Sequence, residues 1–170
     1  MNTLLNVNDL LIQQTRKLVD GEEYILETLP KIVRRITSTD LADFTFRMTD
    51  EKRRQLSRLG QVLKELEVEA DGESSDGLRC LSNEKHMLME RSKSSTLDNA
   101  IISIYLRSMF SLQTNTYQVA ISCAFELENK DVARLLRKCL REEQELEKQI
   151  ITLEESFIDA LANVPVLYEL

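Results

Sequence analysis

The sequence predicts an all-α protein, an antiparallel four-helix bundle with a long crossover between its second and third long helices. Apolar residues recur at alternating steps of three and four along four long segments, which is typical of helices that pack through one stripe. Two Pro, four Gly, no Trp and 30% charged residues among 170 suit helices better than sheets. Short connections join the first long helix to the second and the third to the fourth, so we expect each pair to lie antiparallel.

The first long helix is predicted at about residues 6–36, where Asn6 or Asn8 can cap it and Asp9 suits its first turn. One carboxylate interrupts its inward column, which reads Leu11, Thr15, Leu18, Glu22, Ile25, Leu29 and Ile36. A second apolar stripe widens this face beyond the need of a four-helix core and contains Leu5, Ile12, Val19, Leu26 and Val33. We expect that stripe to pack on a crossover segment or on a second subunit.

The second long helix is predicted at about residues 40–66, after a break at 37–39 that supplies capping residues. Two polar residues one turn apart interrupt its column, which reads Leu41, Phe44, Met48, Glu51, Gln55, Leu59, Val62 and Leu66. The acidic stretch 67–76 is predicted to be a loop, and residues 77–91 are predicted to form a short extra helix on the crossover.

The third long helix is predicted at about residues 97–127, after Ser95 and Asp98, which are spaced like a capping box. Its column carries no charge and reads Ile102, Tyr105, Met109, Leu112, Thr116, Val119 and Cys123. The fourth is predicted at about 130–161, and its column reads Val132, Leu136, Cys139, Glu143, Leu146, Ile150, Leu153 and Phe157. All four helices are expected in one domain spanning residues 1–170, and the sequence leaves the packing of the tail at 163–170 open.

Polar residues interrupt three of the four columns near the middle of their helices. Glu22 and Gln55 lie about equally far from the first turn, and Glu143 lies at a similar distance from the second. A buried carboxylate is costly unless it is paired, protonated or bound to a metal ion. The pattern predicts that Glu22, Glu51 and Glu143 line one interior site, as in the di-metal carboxylate bundles. The alternative is that each lies on a solvated edge of its helix, since a straight helix drifts from a seven-residue repeat.

Composition and motifs exclude several functional classes. The formal charge of −7 argues against nucleic-acid binding and against docking on anionic membranes. No apolar run has the length of a transmembrane helix, and the N-terminus does not resemble a signal peptide. Three widely separated cysteines without a CxxC pair are expected to be reduced, as in the cytoplasm. The chain also lacks P-loop, GxGxxG and HExxH motifs.

Several short stretches occur here in the order found in one known family. They are Asp20-Gly21-Glu22, Thr28-Leu29-Pro30-Lys31-Ile32, residues 55–63, residues 77–84, Ala133-Arg134-Leu135-Leu136 and Leu140-Arg141-Glu142-Glu143. With these stretches the sequence resembles the YciE/YciF-type ferritin-like stress proteins from about residue 8 to 160. The resemblance implies a ferritin-like bundle that forms a homodimer. It also implies a metal site built from Glu22, Glu51, Gln55, Glu143 and Glu147.

The third long helix departs from that family. Where the family carries Glu and His ligands, this chain has Met109-Phe110-Ser111-Leu112, and no Asp, Glu or His occurs between residues 99 and 125. The only histidine, His86, lies on the crossover and is expected to face solvent. A degraded site should therefore hold no metal or a single divalent ion, iron, manganese or magnesium. Otherwise its carboxylates must share protons or pair with an arginine such as Arg54 or Arg107.

The sequence thus favours a stress-associated, structural homodimer without oxidase turnover. One alternative is an iron- or manganese-dependent oxidase, or a peroxide-consuming protein, with an oxygen-rich site. Another is a helical module that offers the wide face of its first helix to a different protein partner.

Overall fold

The computed structural model describes residues 4–70 and 73–163, and in these residues the chain forms five α-helices and no strand. The helices are α1 (Val7–Val33), α2 (Thr39–Glu65), α3 (Asp76–Arg91), α4 (Ser95–Glu126) and α5 (Lys130–Ala162). The prediction of four long helices and a short crossover helix is confirmed, with ends within three residues of those expected. Most of the tail, residues 164–170, lies outside the described residues.

Short polar side chains begin four of the helices. Asn6, Ser38, Ser94 and Asn129 each accept a hydrogen bond from the backbone N–H three residues further along. At the C-termini of α2 and α4 the chain reverses through Glu67 and Glu128, whose φ angles are 54° and 53°. The next N–H then bonds to a carbonyl five residues earlier, from Val68 to Leu63 and from Asn129 to Ala124.

The four long helices form a closed ring in which α1 packs on α2 and α4, while α5 packs on α2 and α4. The short helix α3 crosses the outside of the ring and packs against α4. Its start is fixed by Asp20 of α1, which accepts hydrogen bonds from the Arg79 guanidinium and from the Ser75 N–H. The all-α, four-helix bundle with a long crossover that the sequence predicts is therefore the observed architecture.

Two apolar clusters fill the bundle, one at each end. Toward one end lie Ile25, Leu29, Phe44, Met48, Met109, Phe110, Leu146 and Ile150, among others. Toward the other end lie Leu11, Leu18, Leu59, Val62, Tyr117, Ala120, Val132 and Leu136, among others. Each long helix passes from one cluster to the other through a polar position. These polar positions place a buried layer of polar side chains at mid-height.

Candidate functional site

The buried polar layer is built around Lys52 of α2. Its side chain is entirely out of contact with solvent, as are those of Glu22 on α1 and Glu143 on α5. The Lys52 ammonium donates to Glu22 Oε1 at 3.1 Å and also to Glu143 Oε1. It lies 5.5 Å from the centroid of the Phe110 ring on α4. One lysine thus contacts side chains from each of the other three long helices.

Amide and hydroxyl groups complete the layer. Glu22 Oε1 also accepts from Gln113 Nε2 at 3.3 Å and from the Tyr117 hydroxyl at 3.4 Å, both on α4. Gln55, one turn beyond Lys52, donates to the backbone carbonyl of Cys139 at 3.4 Å. The Oε2 atoms of Glu22 and Glu143 are buried and have no hydrogen-bond partner among the described residues. Such carboxyl oxygens are where a proton would be held.

The charges in this layer influence one another strongly. Burial raises the pKa of Glu22 to about 7, a rise that Lys52 opposes and Glu143 increases. Burial also raises the pKa of Glu143, again against the effect of Lys52. Burial alone would lower the pKa of Lys52, but Glu143 and Glu22 outweigh it and raise that pKa. At neutral pH one ammonium therefore faces two carboxyl groups whose pKa values are raised, and that of Glu22 lies close to neutrality.

The structure brings together three of the five residues that the sequence proposed as metal ligands, namely Glu22, Gln55 and Glu143. The other two lie elsewhere, and the expectation that they join the interior site is wrong. Glu51 is only partly buried and pairs with Arg54 on the outer face of α2. Glu147 is also partly buried and accepts a hydrogen bond from Ser111. Their helical phase differs from that of the column, so each side chain points away from the mid-height layer.

Sequence reasoning missed Lys52, Gln113 and Tyr117. The signal for Lys52 was present, because steps of four, three and four run from Met48 through Lys52 and Gln55 to Leu59. The alternative column through Glu51 is also helical, and only packing distinguishes the two. Of the arginines proposed as partners, Arg54 does pair with Glu51, whereas Arg107 pairs with Glu154 and not with the interior carboxylates.

A second ion pair lies one turn from the layer. Arg58 of α2 is 9% exposed and donates to Glu142 Oε2 at 2.6 Å and to the Cys139 sulfur at 3.2 Å. Burial raises the pKa of Cys139 to about 11, although Arg58 opposes that rise, so the thiol stays protonated. This sulfur is therefore a structural neighbour of the layer and is a poor nucleophile or metal ligand.

The donor set does not fit the pair of metal ions of the di-iron bundles. In residues 4–70 and 73–163, no group of three or more His, Cys, Asp or Glu side chains is arranged to hold a metal ion. Of the carboxyl groups in the described residues, only two converge in the interior, and the Lys52 ammonium lies between them. An ammonium offers only hydrogen-bond donors and repels a divalent cation. A single divalent ion at this position stays a prediction.

Other expectations concern the rest of the described chain. His86 is exposed on α3, as expected. Cys80, Cys123 and Cys139 are free. None of the helices in the described ranges has an apolar stretch that could cross a lipid bilayer.

Comparisons with known proteins agree with this architecture. The sequence profile of a family described as a domain of unknown function, DUF892, matches residues 6–163. No curated protein sequence matches the chain.

Three solved structures are similar over most of their length. YcfI from Rhodopseudomonas palustris is 25% identical, with a TM-score of 0.85 over 89% of this chain and 96% of that one. The E. coli stress protein YciF is 17% identical, with a TM-score of 0.85 over 92% and 99% of the two chains. Protein XCC3681 from Xanthomonas campestris is 14% identical, with a TM-score of 0.68 over 91% and 94%. The similarities to YciF and to XCC3681 show the fold alone.

Proposed function

Because the chain belongs to the DUF892 family and has the fold of YcfI and YciF, we propose that it is a structural, stress-associated ferritin-like protein whose di-metal site has been lost. The observation that carries this proposal is the Lys52 ammonium, which is fully buried between Glu22 and Glu143. A permanent internal cation supplies the positive charge that a metal ion supplies in related bundles, and it does so without redox chemistry.

The layer is suited to holding four helices in register rather than to turnover. We infer that the buried ion pairs of this layer contribute little net stability and instead fix which helices meet and at what height. Lys52 reaches α1 and α5 at once, and Glu22 is also bound by two groups from α4. The name of YciF describes a stress protein, and a structural role has been suggested for YcfI. Both descriptions are compatible with a non-catalytic bundle.

The metal-dependent oxidase or peroxide-consuming alternative requires more ligands than converge here. A di-metal oxidase site requires carboxylates and nitrogen ligands from both helical hairpins. In the described part of the chain, α4 contributes Gln113 and Tyr117 to the layer and no carboxylate. This alternative is therefore the less favoured one.

An iron(II) oxidation assay tests the proposal. Purified protein should oxidise iron(II), with oxygen or with peroxide, no faster than buffer does. The matched control is a Glu22→Gln, Lys52→Met, Glu143→Gln variant, which removes both interior carboxylates and leaves no charge of the layer unpaired. An oxidation rate that saturates with iron in the wild type and is lost in this variant would contradict the proposal.

We further propose that the protein is a cytoplasmic homodimer that uses the second apolar stripe of α1. Two residues of that stripe are exposed, Leu5 just before α1 by 80% and Val33 at its end by 40%, whereas Val19 is 4% exposed and packs in the core. The support for a contact with a second subunit therefore comes from the two ends of the stripe. The three free thiols are compatible with a reducing compartment. Light scattering of the wild type should give twice the mass of the chain. A Leu5→Glu, Val33→Glu variant should give the monomer mass, and a monomeric wild type would contradict the proposal.

A further inference from the structure

A second buried lysine differs from Lys52 in having no counter-charge among the residues that the structure describes. Lys85 lies on α3 and is 4% exposed. Its ammonium lies 4.6 Å from the centroid of the Tyr105 ring. Burial lowers the pKa of Lys85, and no carboxylate of the described residues acts on it in the opposite direction. The Lys85 ammonium makes no ion pair with a carboxylate of the described residues, so its charge is free to attract an anion.

The Lys85 side chain lines a cleft between α1 and α3. The cleft has a volume of about 410 Å³, which lies within the range of small-molecule sites. Its buried floor combines apolar and polar side chains, namely Ile32, Ser82, Lys85 and Met89. The Tyr105 hydroxyl, next to this floor, is buried and has no hydrogen-bond partner among the described residues.

The other charged groups of the cleft lie at its open edge. Glu27, Lys31, Arg35, His86 and Glu90 line the cleft, and all five are exposed to solvent. Arg35 already pairs with Asp98. The cleft thus has mixed charges at its edge and one unpaired positive charge on its floor. An anion that entered the cleft would meet that charge in a partly desolvated setting, where the attraction is stronger than in bulk water.

We propose that this cleft binds a small organic acid. Its carboxylate or phosphate group would supply the missing counter-charge of Lys85, and its apolar part would pack on Ile32 and Met89. The Tyr105 ring positions the ammonium from below by a cation–π contact. The ligand class follows from the two features together, an unpaired buried cation and an apolar wall.

Calorimetric titration of the full chain with benzoate and with phenyl phosphate tests this site. The two probes share an aromatic ring and differ in the oxyanion, so they distinguish a carboxylate ligand from a phosphate ligand. At least one of them should bind saturably at one site per chain. Benzamide has the same ring without the charge and should not bind. Lys85→Met should weaken binding at least tenfold, whereas Lys93→Met, at an exposed lysine, should leave it unchanged.

Thermal unfolding without ligand provides the second measurement. Because Lys85→Met removes an unpaired buried charge, this variant should unfold at the same temperature as the wild type or at a higher one. Lys85→Gln serves as a second variant and should lose binding likewise. The proposal is overturned if neither probe binds the wild type at about 10 mM, roughly tenfold above a millimolar Kd. Equal binding of benzamide and benzoate, or unchanged binding by both Lys85 variants, would overturn it as well.

Discussion

Lys52 is held entirely out of solvent, and its ammonium contacts carboxyl groups from two other helices. Removing one member of such a cluster leaves the remaining charges buried and unpaired, which costs far more than the cluster contributes as a whole. Because of this asymmetry, we expect the replacement of Lys52 to lower the free energy of unfolding strongly.

Lys52→Met is expected to destabilise the protein by about 3–5 kcal/mol at neutral pH, because Glu22 and Glu143 then face each other without a cation. The loss should be smaller near pH 4, where the raised pKa values of Glu22 and Glu143 keep both carboxyl groups largely protonated in the folded state. Denaturant unfolding of the variant and the wild type at neutral pH and near pH 4 measures this loss of stability.

The matched control for this prediction is Lys93→Met, at an exposed lysine, which should leave stability nearly unchanged. A triple variant that adds Glu22→Gln and Glu143→Gln to Lys52→Met should recover part of the loss, since no charge is then left unpaired. A Lys52→Met variant as stable as the wild type would contradict the role of Lys52 as the counter-charge of Glu22 and Glu143.

The pKa of Glu22 gives a second prediction at the residue scale. Its folded value of about 7 lies above the unfolded value of 4.5, so the folded state holds the extra proton between these two values. Stability should therefore fall as pH rises from about 4.5 to 7, by at most about 3 kcal/mol from this group. Unfolding measured between pH 5 and 8 should show this slope in the wild type.

A Glu22→Gln variant isolates the contribution of this carboxyl group. The residues that face Glu22, namely Lys52, Tyr117 and Glu143, are kept in the variant, so the difference between the two proteins reports Glu22 together with its coupling to Glu143. The variant should have a flatter stability profile over the same pH range. Equal slopes in the two proteins would mean that Glu22 does not titrate in this window.

At the scale of helices, Gly21 is a point of close approach between α1 and its neighbours. A Cβ atom at this position would lie 2.9 Å from Gln113 Nε2 and 3.0 Å from Leu78 Cδ1. Gln113 is 1% exposed and already bonded to Glu22, so it has little room to move. The absence of a side chain at Gly21 thus lets α1, α3 and α4 meet beside the polar layer.

Gly21→Ala is expected to destabilise the protein by about 1–3 kcal/mol, because the added methyl group displaces Gln113 or Leu78. Gly60 on α2 is the matched control, since a Cβ there would meet no atom within 4 Å. Gly60→Ala should stabilise the protein by about 0.5–1 kcal/mol through helix propensity. Thermal unfolding of the two variants tests both predictions. A change of stability in the same direction in both variants would contradict this description of the contact at Gly21.

Helix positions were predictable from the sequence because apolar periodicity and capping residues mark them directly. The rotation of each helix was less predictable. In α2 the positions of Glu51 and Lys52 both continue the column from Met48 to Gln55 at helical spacing. In α4 apolar residues occur on several faces, so periodicity selected Leu112 where packing places Gln113 in the layer and turns Leu112 toward α3.

At the scale of the whole molecule, two apolar clusters enclose one polar layer, and the layer takes groups from all four long helices. The meeting of Glu22 and Glu143 at one height followed from the turn positions. The identity of their counter-charge could not be predicted from the turn positions, because it depends on which face of α2 turns inward. The single residue step from Glu51 to Lys52 changes the expected site from an acidic cluster to a charge cluster that contains its own cation.

The metal content of the protein tests this central claim most directly. Wild-type protein is equilibrated anaerobically with iron(II) or manganese(II), freed of excess ion by desalting, and measured by elemental analysis. The account predicts less than one retained ion per chain, because the Lys52 ammonium lies between the interior carboxyl groups. Retention of two ions per chain, as in the di-iron bundles, would contradict it.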